Sequence, residues 1–321
     1  MRELIVKELE AGQRLDKFLH KYLKDAPNSF LYKMMRKKNI VLNGKKVTGN
    51  EQIKEGDSVK LFLSEDTIEK FMGSQALVSA HNTLYQKAYS QLKGIQVVSE
   101  FEDVLFINKP AGILSQQAEG NDLSANEWLI GYLLDENKIT DEDLKTFKPS
   151  VCNRLDRNTS GLLVCSKTLI GSQEMAKILK DRSLHKFYRC LVHGKCELNG
   201  IYEAYLMKDE KQNKVSVYGD FNEIPKDLKA SAKPIKTGIK PMKYHESEDY
   251  TELEIELFTG KTHQIRAHME KLGYPLVGDI KYAGDNTNKH KTKGQQLHAY
   301  RLLFPEMKGK LAYLSQKEIL C

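Results

Sequence analysis

The sequence predicts an α+β protein with a mostly antiparallel mixed sheet and a small N-terminal α/β domain. Many short segments alternate apolar and polar residues, and a few helical stripes separate them without a regular strand–helix–strand repeat. Positive charge is also concentrated at the start, since residues 1–66 hold 14 Lys and Arg against 10 Asp and Glu. We therefore expect a small domain over 1–66, a polar linker over 67–93 that is helical in part, and a large domain over 94–321.

The N-terminal segment is expected to contain two helices and a hairpin. The apolar stripe of the first helix consists of Leu15, Phe18, Leu19 and Tyr22. Pro27 ends that stripe, and Asn28-Ser29 offers a cap for a second helix with a basic outer face. A strand over 40–42 runs into Asn43-Gly44, which favours a type I′ turn because both residues tolerate positive φ. A last strand alternates apolar residues over 59–63.

The large domain is predicted from the same periodicities. Its expected strands cover 97–98, 104–107, 162–164, 188–192 and 252–257, and its expected helices cover 122–134 and 175–179. After the strand that ends near Thr259, Thr262 is a candidate cap for a helix that buries Ile265 and Met269 and leaves Arg266 free to project elsewhere.

Composition excludes several classes of protein. No apolar run approaches the roughly 20 residues that span a bilayer, so a membrane partner is not expected. The five cysteines lack Cys-x-x-Cys spacing, which argues against a disulfide framework or a structural zinc site and favours a reducing cytoplasm. His263 and His268 are five residues apart, which is not the spacing of a zinc hydrolase. We therefore expect no metal.

Three polar residues on separate predicted elements are candidates for chemistry. Asp156 lies between two arginines just before a buried strand, Tyr188 lies in a strand, and Arg266 lies in the helix after Thr262. Taken singly, the aspartate is typical of a surface ion-pair cluster and the tyrosine of a core aromatic. Taken together, a carboxylate, a phenol and a guanidinium could form a site that needs no cofactor.

The N-terminal segment resembles a known RNA-binding domain. Arg14-Leu15-Asp16-Lys17-Phe18-Leu19, a basic second helix and Val41-Leu42-Asn43-Gly44-Lys45 are similar to the small domain named after ribosomal protein S-four. In that family the second helix and the hairpin hold RNA backbone. The positions that this resemblance assigns to RNA are Arg14, Lys17, Lys33, Arg36, Lys37, Lys38, Asn43 and Lys45.

Four ordered motifs in the large domain resemble the RluA-type pseudouridine synthases. The catalytic motif matches Arg154-Leu155-Asp156 with Thr159-Ser160-Gly161-Leu162-Leu163, and the first motif matches Asn108-Lys109-Pro110-Ala111-Gly112. The third motif matches residues 259–268 with Gly278-Asp279, and the C-terminal signature matches 297–302. In this family the N-terminal RNA-binding unit is a usual attachment.

The resemblance implies isomerisation of uridine to pseudouridine in RNA, without a small-molecule cofactor or a metal. Asp156 matches the essential aspartate, which either attacks the sugar or supports a glycal intermediate. Tyr188 matches the tyrosine that stacks on the base and could accept a proton later. Arg266 matches the residue that pairs with the aspartate, and a neighbouring cation favours the ionised carboxylate. Arg154 matches the arginine that enters the space left by the flipped base.

Two residues depart from the family pattern, which most often has histidine at Asn153 and arginine at Lys261. We expect large-subunit ribosomal RNA as the substrate and a monomeric enzyme. The same reaction on transfer RNA stays open. So does a non-catalytic RNA-binding factor with a synthase fold, although such a factor would be expected to lose Asp156 first.

Overall fold

The computed structural model describes residues 1–73, 75–120, 122–209, 214–283, 292 and 294–321. The chain forms two compact units. Unit 1 comprises residues 1–106, 114–154 and 164–177, and unit 2 comprises residues 107–113, 155–163 and 178–321. Within the described residues, no helix is long and apolar enough to cross a membrane.

Unit 1 begins with a four-stranded antiparallel sheet. Its strands are β1 (Arg2–Ile5), β2 (Ile40–Leu42), β3 (Lys45–Lys46) and β4 (Ser58–Leu61), in the spatial order β1-β4-β2-β3. The predicted turn is confirmed, since Asn43 and Gly44 have φ values of 49° and 72°. The Asn43 side chain holds the turn in place, because its amide donates to Asp57 Oδ1 and its oxygen accepts from the Ser58 N–H, both at 2.8 Å.

Two helices cover this sheet as the apolar stripes predict. Helix α1 (Leu15–Tyr22) and helix α2 (Asn28–Arg36) bury their apolar faces in one core. The expected cap of α2 by Asn28-Ser29 is wrong, because Pro27 occupies the cap position and no side chain caps the helix. Proline fits there, since its fixed φ suits a helix start and the missing N–H has no helical partner to lose.

The region predicted as a linker contains two helices. Helix α3 (Glu65–Met72) places the fully buried Ile68 in the N-terminal core. Helix α4 (Gln75–Gln91) packs on helix α5 (Ala125–Asp135). Gly131 permits this contact, because a Cβ at that position would lie 2.4 Å from the Tyr85 carbonyl oxygen. Residue 74 lies outside the described part.

The N-terminal segment also makes polar contacts with the short helix α6 (Asp143–Thr146). Lys7 Nζ donates to Asp143 Oδ1 at 2.5 Å, and the Thr146 hydroxyl donates to the Glu10 carboxylate. Glu10, Asp143 and Thr146 are all buried. Buried polar groups that satisfy one another fix a particular arrangement, so this segment is docked within unit 1 and not merely tethered.

Apart from a two-residue strand at 150–151, which the periodicity does not predict, the remaining elements of unit 1 agree with the predicted strands and helices. Including that strand, they are β5 (Gln96–Glu100), β7 (Ser150–Val151), the first part of β6 (Val104–Lys109), the last part of β8 (Ser160–Ser166), and most of helix α7 (Leu169–Lys180). The buried run predicted after Ser160 is therefore confirmed as strand β8, which pairs antiparallel with β7.

Unit 2 is built on a mostly antiparallel sheet, which confirms the predicted α+β class. Its strands follow the spatial order β11 (Lys214–Tyr218), β10 (Gly200–Asp209), β12 (Lys233–His245), β13 (Tyr250–Leu257), β9 (His185–His193) and β14 (Leu297–Leu303). Strand β15 (Glu318–Leu320) pairs antiparallel with β14, and the start of β8 pairs with β14 in parallel. The parallel pair makes the sheet mixed, and it lies beside the candidate site.

One glycine allows that parallel pair to form. Gly161 has φ +114°, and a Cβ there would lie 2.2 Å from the Ala299 carbonyl oxygen. Helix α8 (Gln264–Lys271) then packs on the sheet through Ala267, and the short helix α9 (Ile280–Ala283) follows. The described residues thus bring the turn before β8 and the start of α8 to the same part of unit 2.

Candidate active site

Asp156 lies in the turn that precedes β8. The turn is closed by a hydrogen bond from the Thr159 N–H to the Asp156 carbonyl oxygen at 3.0 Å. The side chain of Asp156 is 28% exposed, so it is reachable from solvent. A carboxylate on a turn fixed to a rigid sheet is held in one place and remains accessible to a substrate.

Arg266 joins Asp156 to a second aspartate. Its Nη1 donates to Asp156 Oδ2 at 2.9 Å, while Nε and Nη2 donate to the two carboxylate oxygens of Asp279 at 2.7 and 2.8 Å. Burial lowers the pKa of Arg266, but the hydrogen bonds and charges of Asp279 and Asp156 raise it above its ordinary value. The guanidinium therefore stays charged, and the two-pronged contact with Asp279 fixes its orientation.

This arrangement leaves the two oxygens of Asp156 in different states. Oδ2 accepts from Arg266, whereas Oδ1 accepts no hydrogen bond from any residue that the structure describes. Arg266 is expected to project away from the apolar face of its helix, and it lies buried against Asp156 and Asp279. The expected cap at Thr262 is wrong, because His263 occupies the cap position with φ 52° and turns the chain into α8.

Tyr188 lies on β9, paired with Ile255 of β13 and Ala299 of β14. It is buried, and burial together with the charge of Asp156 raises the pKa of its hydroxyl. The phenol is consequently held in its neutral form. A neutral phenol is a poor proton acceptor.

Lys109 shapes the loops around the aspartate. It is fully buried, and its ammonium donates to the carbonyl oxygens of Pro110, Ile113 and Arg157 at 3.0, 2.8 and 3.1 Å. Burial lowers the pKa of Lys109 to about 8, which the charge of Asp156 opposes. Because one acceptor follows Asp156 directly, Lys109 ties the loop after β6 to the turn that carries the aspartate.

A histidine and a tyrosine complete the surroundings of Asp156. His263 Nε2 is 3.8 Å from Asp156 Oδ2, and Nδ1 is 2.9 Å from the Tyr282 hydroxyl. That hydroxyl accepts the Val215 N–H at 3.1 Å. Burial lowers the pKa of His263. The charge of Asp156 acts to raise this pKa and the charge of Arg266 acts to lower it, and the net shift is downward. The imidazole is therefore held neutral beside the carboxylate.

The other residues of the catalytic motif take different places. Arg154 is exposed, as its predicted contact with RNA requires. Asn153 Oδ1 accepts the Val164 N–H at 2.8 Å, so the amide fastens the motif to β8. The contact requires an acceptor at this position, which an amide oxygen supplies as an imidazole nitrogen could. Nothing in the structure explains the lysine side chain at position 261.

All the residues assigned to RNA in the N-terminal segment are exposed. Two of them are engaged by neighbours. Arg14 donates twice to Asp16, at 3.1 and 2.6 Å, and Asn43 holds its own hairpin. The remaining six have no ion-pair partner among the described residues, and they are Lys17, Lys33, Arg36, Lys37, Lys38 and Lys45.

Sequence reasoning missed four residues of the site, namely Lys109, His263, Asp279 and Tyr282. Lys109 belongs to the first family motif and Asp279 to the third, but no local spacing connects either residue to Asp156. The spacing of His263 and His268 bears only on metal binding and gives no link from His263 to Asp156. His268 is buried on α8 with Nδ1 3.0 Å from the Thr237 hydroxyl. In the described part of the chain, no three His, Cys, Asp or Glu side chains are placed to hold a metal ion.

The known proteins that this chain resembles, in sequence and in fold, include several pseudouridine synthases. A protein from Mycoplasma pneumoniae called an uncharacterized RNA pseudouridine synthase is 32% identical over 95% of this chain and 89% of its own length. The ribosomal large subunit pseudouridine synthase D of Buchnera aphidicola is 31% identical over 91% and 86%. The solved human RNA pseudouridylate synthase domain containing 4 has a similar fold, with a TM-score of 0.55, 18% identity, and coverage of 76% and 92%.

The profile of the RNA pseudouridylate synthase family matches residues 103–271, which is more than half of the chain. That segment holds Lys109, Asp156, Tyr188 and Arg266. The fold, the matched segment and the relatives agree, and the chain belongs to the RNA pseudouridylate synthase family.

Proposed function

We propose that this protein is an RNA pseudouridine synthase that converts specific uridines of large-subunit ribosomal RNA to pseudouridine. In this reaction the bond from uracil N1 to ribose carbon 1′ breaks, the uracil rotates, and its carbon 5 bonds to carbon 1′ before losing its proton. The observation that carries the proposal is the Asp156 carboxylate, with one oxygen held by Arg266 and the other accepting no hydrogen bond from the described residues.

The two oxygens suit the chemistry at the sugar. An ionised carboxylate with an uncommitted oxygen can attack carbon 1′, or it can remove a proton when a glycal forms. The charge on Arg266 is already shared with Asp279, so the guanidinium orients Asp156 without fully neutralising it. The geometry supports either route, because both use Oδ1, the oxygen that Arg266 does not hold.

Tyr188 and Arg154 are proposed to act on the base and on the RNA. The buried neutral ring of Tyr188 would stack on the flipped uracil, since a flipped base is read by stacking and by contacts with its edge. Exposed Arg154 would occupy the space that the uridine leaves. Extruding a nucleotide costs a few kcal/mol, and filling the gap offsets part of this cost.

Ribosomal RNA is favoured over transfer RNA by the relatives, since the similar proteins of Buchnera aphidicola and Neisseria meningitidis are called ribosomal large subunit pseudouridine synthase D. The exposed cations of the N-terminal segment would hold backbone phosphates. We also propose that the enzyme acts as a monomer in the cytoplasm. Sedimentation of the purified protein tests the first point, and cell fractionation tests the second.

Pseudouridine mapping tests the substrate. Total RNA from cells with and without the gene is compared at single-nucleotide resolution, and the gene is then restored. We expect one or a few sites in large-subunit ribosomal RNA to disappear and return. Changes confined to transfer RNA would contradict the ribosomal assignment. No change in any RNA would favour the non-catalytic RNA-binding factor.

A further inference from the structure

We propose that His263 is a positioning residue that acts through Asp156, and that its neutral form, with the proton on Nε2, is the active form. This inference rests on the proposed pseudouridine synthase activity and adds a residue that the reaction scheme above does not use. It is carried by three observations: the hydrogen bond at Nδ1, the distance from Nε2 to the carboxylate, and the balance of charge around Asp156.

The contact at Nδ1 favours one tautomer. The Tyr282 oxygen accepts the Val215 N–H at 3.1 Å, and its own proton needs an acceptor. His263 Nδ1 lies 2.9 Å from that oxygen and can accept it. In the arrangement that we infer, Nδ1 accepts this hydrogen bond and carries no proton, which places the proton of the neutral imidazole on Nε2. The N–H of the neutral ring therefore faces Asp156 Oδ2 at 3.8 Å.

The ring cannot turn away easily from this position. His263 has a left-handed backbone with φ 52° immediately before α8, and its side chain is only 11% exposed. Its imidazole also meets the Tyr282 ring edge to face, with centroids 5.7 Å apart. Backbone, hydroxyl and aromatic ring together direct Nε2 toward the carboxylate.

The balance of charge shows why protonation of His263 would matter. The groups that bear on the imidazole are Asp156, Arg266, Asp279, Lys281 and the hydroxyl of Tyr282, with Lys214 over the Tyr282 ring at 5.6 Å. Asp156, Asp279 and Arg266 together carry one net negative charge when His263 is neutral. A protonated His263 would cancel it and place a second cation 3.8 Å from Asp156 Oδ2. The carboxylate would then be a poorer nucleophile or base.

Burial favours the neutral ring, so the pKa of His263 lies below its ordinary value of 6.5. The Tyr282 hydroxyl also donates to a lone pair that exists only in the neutral form, which favours that form further. The acidic fall of kcat/KM is therefore expected to follow the protonation of His263. Removing the hydroxyl should make His263 easier to protonate.

The first test is the dependence of kcat/KM on pH for three proteins with a defined RNA substrate. Wild type should lose activity on acidification. His263→Gln keeps an N–H but cannot gain a proton, so its acidic limb should move down by about one pH unit or more. Tyr282→Phe should move the limb upward. A fall of less than tenfold at pH 8 is expected for His263→Gln. An unchanged acidic limb in both variants would overturn the proposal.

Two further results would also count against the proposal. A loss above a hundredfold at pH 8 in His263→Gln, with an unchanged melting temperature, would assign His263 a direct chemical role. The second test is ¹⁵N NMR of the wild-type imidazoles, in which the His263 signal is the one that disappears in His263→Gln. We expect this ring to carry its proton on Nε2 and to titrate below pH 6.5. An Nδ1–H ring, or titration at 6.5 or above, would overturn the inference. If wild type modifies no RNA at any pH, the proposed function fails, while the spectra still judge the state of His263.

Discussion

At the scale of single residues, the site depends on partners that lie far apart in the sequence. Arg266 contacts Asp156, which lies 110 residues earlier, and Asp279, which lies 13 residues later. Asp279 is almost fully buried, and it has no contact with solvent that could replace Arg266. The orientation of the guanidinium, and through it that of Asp156, is thus set by a residue that need not touch the substrate.

Replacing Asp279 tests this dependence. In Asp279→Asn the guanidinium loses its charged two-pronged partner, so we expect kcat to fall about 10- to 100-fold with little change in RNA affinity. Breaking the buried pair should also lower the free energy of unfolding by about 3–5 kcal/mol. Steady-state kinetics and denaturant unfolding measure the two effects. Glu252→Gln, which removes a partially exposed pair with Arg189 at 3.7 Å, is the control and should change neither quantity much. Normal kcat in Asp279→Asn would show that Arg266 needs no such support.

At the scale of elements, close backbone contact and burial position the site. The parallel contact between β8 and β14 needs a residue without a side chain at Gly161, and α8 needs a buried neutral histidine where its second turn meets β12. Strand β8 therefore depends on the missing side chain of Gly161, and α8 on the neutral imidazole of His268. A substitution at each of these two positions tests each dependence separately.

Gly161→Ala is expected to be strongly destabilising. The new Cβ would lie 2.2 Å from the Ala299 oxygen, and φ +114° is itself unfavourable for alanine. Gly273→Ala is the matched control, because Gly273 has φ +88° but nothing within 4 Å of the added Cβ. The control should cost about 1–2 kcal/mol from backbone strain alone. Thermal unfolding of both variants measures the difference, and an equal loss of stability in both would mean that the close approach is unimportant.

His268 predicts a dependence of stability on pH. Burial lowers its pKa to about 4, whereas an unfolded histidine titrates near 6.5. Between these values the unfolded chain binds more protons, so this contribution to stability is complete above pH 6.5 and is lost as pH falls toward 4. The expected loss is about 3 kcal/mol. Urea unfolding at a series of pH values should show a smaller acid loss in His268→Asn than in wild type. An equal acid loss in wild type and His268→Asn would exclude His268 as the source.

At the scale of the whole molecule, the N-terminal segment adds a surface of exposed cations to the enzyme. Because Ile68 of α3 belongs to the N-terminal core, we propose that this domain extends through Met72, beyond the boundary at 66 that composition suggests. Its polar contacts with α6 join the domain to the rest of unit 1.

The salt dependence of RNA binding tests the role of that surface. In Lys33/Lys37/Lys38→Gln, the slope of log Kd against log salt should fall by about 0.7–0.9 for each phosphate that the variant no longer neutralises. Titrations with a fixed RNA at several salt concentrations measure the slope. The control is Lys308/Lys310/Lys317→Gln, a triple replacement of exposed lysines near the C-terminal strand. Equal slopes in wild type and the first variant would mean that the second helix does not hold RNA.

Local rules were enough for much of the fold but not for the site. The stripe of α1 and the Asn43-Gly44 turn follow from spacing and φ preference, which act within a few residues. Local rules place the start of α8 at Thr262, but His263 occupies the cap position in a left-handed conformation. Its side chain lies against Tyr282 and Asp156, which are distant in sequence, so the cap could not be predicted locally. The residue types and their predicted elements indicate Asp156, Arg266 and Tyr188 as candidates, but their roles come from resemblance to a family, because no spacing rule connects them. Contacts across more than 100 residues are set by strand order and packing.

The most direct test of the account is the replacement of one oxygen of the central carboxylate. Asp156→Asn keeps the size of the side chain but removes its charge, so pseudouridine formation should fall about 10⁴-fold or more. RNA affinity and melting temperature should stay close to those of wild type and of the exposed control Asp141→Asn. Pseudouridine formed near the wild-type rate by Asp156→Asn would contradict the assignment of this carboxylate to the chemistry.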